Sequence, residues 1–335
     1  MLVIYNPTAG RRRVRRLWAV LDVLVAHGVR LEVAETMHAG HAQALAREAA
    51  RAGVRLVVAA GGDGTIAEVA AGLDGSNTLL GIIPLGTANV LAHELRLPTD
   101  STGIASILTS ERTVPLWPGI MQSALGTRLF VQMLGIGFDA HVVHHISRPV
   151  KRVLGKGAYV VQTLRELPRY RFGQIRLRVD GEQMQTGSVI IAKGRLYGGP
   201  YLLAPDATPT APGFSVMLFE HAGIASALLA GAALPLNMLG RVPGVTHRRA
   251  SEVEVLEQDG LPAQADGDPA GTAPLRVTDA SGPLRVLIGN TIQWSNGRSG
   301  VTVDRVPDTA LPALVPGALP GLGEAGIASG TTRTH

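Results

Sequence analysis

Residues Leu56–Leu73 read LVVAAGGDGTIAEVAAGL. An apolar run ends in Gly61-Gly62-Asp63-Gly64-Thr65, and a helix of small residues starts at once. Adjacent glycines let a backbone approach a ligand closely and take up positive φ. A helix start offers unpaired N–H groups and the positive end of a dipole. Together these features make an anion cradle. Thr65 is placed to cap the helix or to bond a phosphate oxygen. Asp63 would repel a phosphate unless a cation or a reacting hydroxyl lay between them. The stretch therefore reads as phosphate chemistry rather than mere phosphate binding. A tight strand–helix turn with an Asp cap is the structural alternative.

Outward from this stretch, the first hundred residues alternate. Strands are expected at Leu2–Tyr5, Arg30–Ala34, Val54–Ala60 and Leu79–Pro84. Between and after them, helical spacing covers Val14–Val25, His41–Ala52, Ile66–Gly72, Ala88–Leu95 and Ile104–Leu108. Such alternation predicts a parallel sheet covered on both faces, with ligands beyond the carboxyl ends of its strands. Two further small, polar, glycine-bearing loops fall at that same edge. They are Asn6-Pro7-Thr8-Ala9-Gly10 and Pro84-Leu85-Gly86-Thr87-Ala88-Asn89. No GxxxxGK[ST] occurs, which excludes a Walker-type loop. Gly62–Ala67 matches G-x-G-x-x-A but follows the third strand, and no acid closes the next strand to hold a ribose.

After about Val114 the texture changes. Strand-like pieces at Leu129–Leu134, Gln174–Val179, Ser188–Ala192, Phe214–Phe219, Glu252–Leu256 and Leu284–Ile288 are separated by turn signals. One helix is expected at Ala158–Leu167. The fold class is thus α/β plus β: a parallel-sheet nucleotide-binding domain over residues 1–115 and an antiparallel β-sandwich domain over 116–305. The last segment of the second domain is allowed to return to the first. Residues 306–335, rich in Pro, Gly and Ala, read as a disordered tail.

The 335 residues carry 31 Lys plus Arg against 26 Asp plus Glu, and no Cys. Disulfides and thiolate metal sites are excluded, and a reducing cytoplasm is the expected setting. No leader-like segment opens the chain. Ala222–Gly240 is near spanning length and uncharged, but Pro235 and Asn237 interrupt it, so a buried helix and loop are expected there. Few aromatics and no basic-aromatic surface argue against nucleic-acid binding. His141, His144 and His145 have metal-like spacing without an evident further ligand.

In order and spacing, the chain resembles the diacylglycerol kinase catalytic family. That family includes bacterial lipid kinases and the sphingosine and ceramide kinases. The resemblance is carried by Asn6–Gly10, Gly61–Thr65 with Glu68, and Gly86-Thr87-Ala88-Asn89. It continues through Gly135-Ile-Gly-Phe-Asp-Ala140, Gly155-Lys-Gly-Ala-Tyr159, Tyr197-Gly-Gly-Pro-Tyr201 and Asp266-Gly-Asp268. It implies a lipid kinase using ATP and Mg²⁺. The implied nucleotide contacts are Asn6, Pro7, Thr8, Ala9, Gly10, Thr36, Gly61, Gly62, Asp63, Gly64, Thr65, Glu68, Thr87 and Asn89. From the basic runs themselves, Arg11, Lys151 and Lys156 read as phosphate or lipid contacts, with a solvated helix face as the alternative for the arginines. Asp63 is the implied partner of ATP-bound magnesium.

The family's final motif is usually Asp-Gly-Glu, whose Glu is the proposed base for the lipid hydroxyl. In this sequence that position is Asp268, one methylene shorter, so Asp63 and Asp268 are the two catalytic candidates. Acids of a structural magnesium network are replaced by Val114-Pro115-Leu116 and Ala211-Pro212-Gly213. Side chains of Ala and Pro cannot ligate Mg²⁺, so that site is expected to be absent. Diacylglycerol is the simplest acceptor; sphingoid, ceramide and phosphatidylglycerol acceptors stay open. An NAD kinase-like enzyme and a binding regulator with little catalysis are the alternatives. The expected partner is a lipid at an anionic membrane surface, reached by peripheral association through the Arg11–Arg16 run, the Arg148–Lys156 loop and Ala222–Leu234. Self-association into a homo-oligomer is left open.

Overall fold

The structure, a computed structural model, describes residues 1–7, 11–146, 157–256, 260–289 and the pair 304–305. The expected tail at 306–335 and the candidates Thr8, Ala9, Gly10, Lys151 and Lys156 lie outside the described residues, as does the side chain of Arg11.

The first layer system alternates as the apolar runs dictate. It comprises β1 (Leu2–Tyr5), α1 (Arg11–Ala26), β2 (Glu32–Glu35), α2 (His41–Arg51), β3 (Leu56–Gly61), α3 (Asp63–Leu73), β4 (Leu79–Pro84), α4 (Val90–Glu94), α5 (Ser101–Leu108) and β5 (Arg112–Leu116). Every residue of β1, β3 and β4 is buried, which is why each reads as an unbroken apolar run. α3 lies close against α2 at Gly72, where any side chain would collide with the α2 backbone.

The second system contains β6 (Gly119–Ser123), β7 (Gly126–Phe130), β8 (Met133–Ile136), α6 (Phe138–His145) and α7 (Gly157–Glu166). β9 (Ile175–Val179), β10 (Glu182–Thr186), β11 (Ser188–Ala192), β12 (Leu196–Tyr197), β13 (Tyr201–Leu202), β14 (Phe214–Phe219) and α8 (Ile224–Ala233) follow. Then come β15 (Val245–Ala250), β16 (Glu252–Val255), β17 (Pro262–Ala265), β18 (Asp268–Thr272), β19 (Leu275–Asp279), β20 (Leu284–Leu287) and β21 (Asp304–Arg305).

The seven-stranded sheet has the order β2-β1-β3-β4-β20-β5-β21. β20 runs parallel to β4, and β5 turns antiparallel beside it. Two six-stranded antiparallel sheets, β10-β9-β16-β19-β6-β7 and β15-β14-β11-β8-β17-β18, form the sandwich. Their facing sides share one core that includes Phe130, Ile175, Val253 and Val277 from the first and Leu134, Val189, Phe214 and Val216 from the second. The α/β class with a β-sandwich is therefore observed.

Two expectations are corrected. Leu129–Leu134 is not one strand: β7 ends at Phe130 and β8 starts at Met133, in different sheets. The backbone N–H groups of Val131, Gln132 and Met133 turn away from any ladder to the carboxylate of Asp266, which breaks the run. Nor is Ala222–Gly240 buried. α8 and the turn after it leave Ile224, Leu228, Leu229, Leu236 and Met238 exposed, and within α8 only Ala233 is buried. A uniformly apolar helix carries no stripe that says which face is covered.

Candidate functional site

Because β1, β3 and β4 are parallel, their carboxyl ends bring the three glycine-bearing loops to one edge. Asn6 Nδ2 donates to Thr65 Oγ1 at 3.1 Å and joins the first loop to the second. Thr65 is thus engaged by Asn6, and α3, with Gly62 at its N-cap, has no side-chain cap. A β-carbon on Gly61 would stand 2.5 Å from Thr65 Oγ1, and one on Gly86 would stand 2.5 Å from the Cα of Gly62. The second and third loops therefore touch backbone to backbone, which only glycine permits. Asn89, at φ 48°, donates to Gly86 O at 3.0 Å, and its Oδ1 is buried with no protein partner. The uncapped start of α3 fits an anionic ligand, while the orphaned oxygen, an acceptor, fits a hydrogen-bond donor or a cation.

Arginines reach the same edge from α1. Arg13 Nη2 donates to Thr87 Oγ1 at 2.7 Å, and Arg16 donates to the carbonyls of Pro84 and Thr99. Arg13 was not among the nucleotide candidates. A helix-face reading of the Arg11–Arg16 run gave no sign of which members turn inward.

Carboxylates meet at the head of α3. Asp63 Oδ1 accepts the N–H of Leu91 at 3.3 Å. Burial raises its pKa, and backbone N–H groups near the start of α4 pull it back. Asp268 comes from the other half of the chain: its Oδ2 lies 2.7 Å from where a β-carbon on Gly64 would stand. Asp266, two residues before Asp268, is half-buried, and its desolvation pushes the carboxyl up to about 6, with the charge of Asp63 adding to the effect. Crowded carboxylates of this kind fit a divalent cation, for which oxygen is the natural ligand.

Other candidates are placed differently. Both oxygens of Glu68 accept N–H groups at the start of α2, from Gly40 at 2.9 Å and Ala42 at 3.2 Å, so Glu68 caps a neighbouring helix. Thr36 follows β2 at the site edge, its N–H on Tyr5 O at 2.8 Å. His141 and His145 do find a third ligand type nearby, Glu166. His141 Nε2 and Glu166 Oε2, 3.0 Å apart, satisfy one another, and Gln162 donates to the other Glu166 oxygen at 2.8 Å.

Where the resemblance places magnesium-network acids, a buried ammonium is found. Lys193 Nζ is 2.6 Å from Asp279 Oδ1, 2.9 Å from Gly213 O and 3.4 Å from Ala211 O. Burial lowers its pKa and Asp279 opposes that shift. At the other side of the site, Glu94 at the end of α4 is buried against Arg195, whose Nε and backbone N are each 3.0 Å from a carboxylate oxygen. Neither pair was singled out in the sequence. A lone Lys closing an apolar strand, and a Glu in a short helix, carry no local signal of their partners.

Loops of this type on a parallel sheet joined to an antiparallel sandwich suit a kinase that handles a nucleotide phosphate, and the comparisons narrow the class to lipid kinases. Residues 1–118 match the diacylglycerol kinase catalytic domain, and residues 132–288 match the YegS C-terminal NAD kinase beta sandwich-like domain. A probable lipid kinase YegS-like of Pseudomonas putida is 33% identical over 284 residues, covering 82% of this chain and 90% of that protein. A diacylglycerol kinase of Staphylococcus carnosus is 27% identical over 280 residues, covering 81% and 89%. The fold also matches a solved diacylglycerol kinase structure from Bacillus anthracis, with TM-score 0.64 at 19% identity over 86% of this chain and 96% of that one. The chain belongs to the diacylglycerol kinase catalytic-domain family.

Proposed function

We propose that the chain is an ATP-dependent lipid kinase that transfers the γ-phosphoryl group to the hydroxyl of a neutral lipid, diacylglycerol in the simplest case. One observation carries the reading: the Asp268 carboxylate lies over Gly64, at the head of the helix that the GGDGT loop begins. A proton acceptor from the sandwich thereby meets the phosphate-facing loops of the α/β layers. In the proposed reaction the lipid hydroxyl attacks the γ-phosphorus. A new O–P bond forms, the bond to the bridging oxygen of ADP breaks, and the hydroxyl proton passes to Asp268. The start of α3, Gly62, Gly64 and Thr87 line the phosphates, and Arg13 adds positive charge beside Thr87. Magnesium arriving with ATP would be held by Asp63 and would neutralise phosphate charge.

The proposed place of action is an anionic membrane surface. Among the described residues no helix is long and apolar enough to cross a membrane. Yet of the twelve exposed large apolar side chains among the described residues, eight lie on α7, on α8 or in the turn after α8. They are Val160, Val161, Leu164, Ile224, Leu228, Leu229, Leu236 and Met238. Surface patches of this kind fit a lipid interface.

The test is labelled ATP with magnesium against diacylglycerol, sphingosine, ceramide, phosphatidylglycerol and NAD. Labelled diacylglycerol is the expected product. Labelled NAD alone would favour the NAD kinase-like alternative. ATP binding by calorimetry with no labelled product would favour the regulator.

A further inference from the structure

Asp268 follows the two-residue turn Asp266-Gly267 between β17 and β18, and long-range bonds set where that turn points. Asp266 and Gly267 both have positive φ, 51° and 84°. Asp and Gly both tolerate this conformation, so the dipeptide suits a two-residue hairpin turn, and further bonds anchor it to the rest of the sandwich. Asp266 accepts three backbone N–H groups, and the Gly267 N–H donates to Gln264 Oε1 at 2.8 Å. Gln264 is 2% exposed, and its Nε2 donates to Asp139 Oδ2 at 2.8 Å. The other oxygen of Asp139 accepts the hydroxyl of Tyr197. Gly135 leaves room for this, since a β-carbon there would strike Asp139 Oδ2 and stand 2.7 Å from Gln264 Nε2.

The chain of bonds has a direction. Both oxygens of Asp139 accept, one from Tyr197 and one from Gln264, so the amide nitrogen of Gln264 faces Asp139 and its oxygen faces Gly267. Tyr197 is anchored in turn. The Leu196 N–H donates to Glu94 at 3.1 Å, beside the two Arg195 contacts. Glu94 ends α4, whose N-cap is Asn89 of the third glycine-bearing loop. A line of bonded groups thus runs from that loop to the Asp268 turn.

We infer that Tyr197, Asp139 and Gln264 are positioning residues: their hydrogen bonds hold the Gly267 amide and so aim the Asp268 carboxylate at the head of α3. None of them touches the reacting groups. The activity readouts rest on the lipid-kinase reading above.

The experiment uses the full chain. Gln264→Leu is expected to lower kcat by about ten- to a hundredfold, the scale of a small misplacement at a reacting centre, with ATP affinity by calorimetry unchanged. Tyr197→Phe removes one hydroxyl only and is expected to lower kcat less. Asp139→Asn keeps an acceptor for Gln264 and lets the tyrosine oxygen accept its N–H, so it is expected to retain more activity than Asp139→Leu. In an Asp268→Ala background, Gln264→Leu should change residual turnover by less than about twofold, because both act on one group. An equal loss in both backgrounds overturns the proposal.

Amide exchange at Gly267 by NMR needs no turnover. Protection is expected in the parent protein and in Asp139→Asn, and loss of protection in Gln264→Leu and Tyr197→Phe. If the parent phosphorylates no lipid, the kinase reading fails and Gly267 exchange still judges the chain of bonds. If the parent is active while exchange and kcat are unmoved in the variants, the positioning proposal fails alone.

Discussion

The Asp268 carboxylate occupies the space a side chain on Gly64 would need: a β-carbon there would stand 2.7 Å from Asp268 Oδ2. Gly64 lies in the first turn of α3. Alanine is favoured over glycine in a helix by about 1 kcal/mol, so Gly64→Ala need not harm the fold. It must push the Asp268 carboxylate aside. Gly64→Ala is expected to keep or raise Tm while turnover falls by about tenfold or more. Unchanged turnover would remove Asp268 from the rate-determining geometry.

Asp63 makes the contact that a purely structural turn would require, through Leu91 N–H. Asn keeps an accepting oxygen, so Asp63→Asn is expected to cost at most about 1 kcal/mol of stability, the worth of a cap. Loss of the negative charge should lower turnover by roughly a hundredfold if Asp63 organises the transferring phosphate. Comparison of kcat with the denaturation midpoint separates the two roles. A lower midpoint with near-normal kcat would make Asp63 a cap and nothing more.

The parts legible in the sequence share a physical cause. Strands buried on both faces give unbroken apolar runs, so β1, β3 and β4 stand out; loops whose backbones touch must be glycine, so Gly62 and Gly86 stand out, and Gly61 leaves room for the Thr65 side chain. The rest depends on partners distant in the chain. The break between Phe130 and Met133 is made by Asp266. Glu68 caps α2 from α3, and Lys193 meets Asp279 from across the sandwich. β15 was missed because Thr246, His247, Arg248 and Arg249 are exposed and show no alternation. Nothing local marks Gln264 as the residue that orders the Asp268 turn.

Asp266 makes stability depend on pH in a defined direction. Its carboxyl is raised from 3.8 to about 6, so the folded protein holds the proton more tightly than the unfolded chain does. Its contribution is full below the unfolded value, declines as pH rises, and is lost above the folded value. Two units correspond to about 3 kcal/mol. Between about pH 4 and pH 7 the parent protein is expected to lose more stability than Asp266→Asn, by up to that amount. Urea midpoints across this window decide it, and parallel curves would show that Asp266 does not titrate there.

Lys193 provides a cation of the protein's own where the resemblance places magnesium ligands. Removing one partner of a buried ion pair leaves the other uncompensated, at a cost of roughly 3 kcal/mol. Lys193→Met is therefore expected to lower Tm strongly, since Asp279 and the carbonyls of Ala211 and Gly213 lose their donor. A chelator should leave the Tm of the parent protein unchanged. A large fall with chelator would reveal a structural metal, and the Lys193 ammonium would then not be its replacement.

Membrane association is tested by vesicle sedimentation, and the structure changes which residues matter. Arg13 and Arg16 turn to Thr87, Pro84 and Thr99, so they are poor candidates for lipid contact. The apolar faces of α7 and α8 are exposed, with Val160 62% and Leu229 50% accessible. Cations near an anionic surface are each worth about 1 kcal/mol, and salt screens them. Binding to phosphatidylglycerol vesicles, little binding to neutral vesicles and release at high salt are expected. Lys151→Ala with Lys156→Ala should shift release to lower salt. Leu228→Ser with Leu229→Ser should weaken binding at every salt concentration, because the apolar share of the contact is not screened. Equal binding to neutral vesicles would assign docking to the helices alone. Absence from both vesicle types would overturn the peripheral-membrane reading.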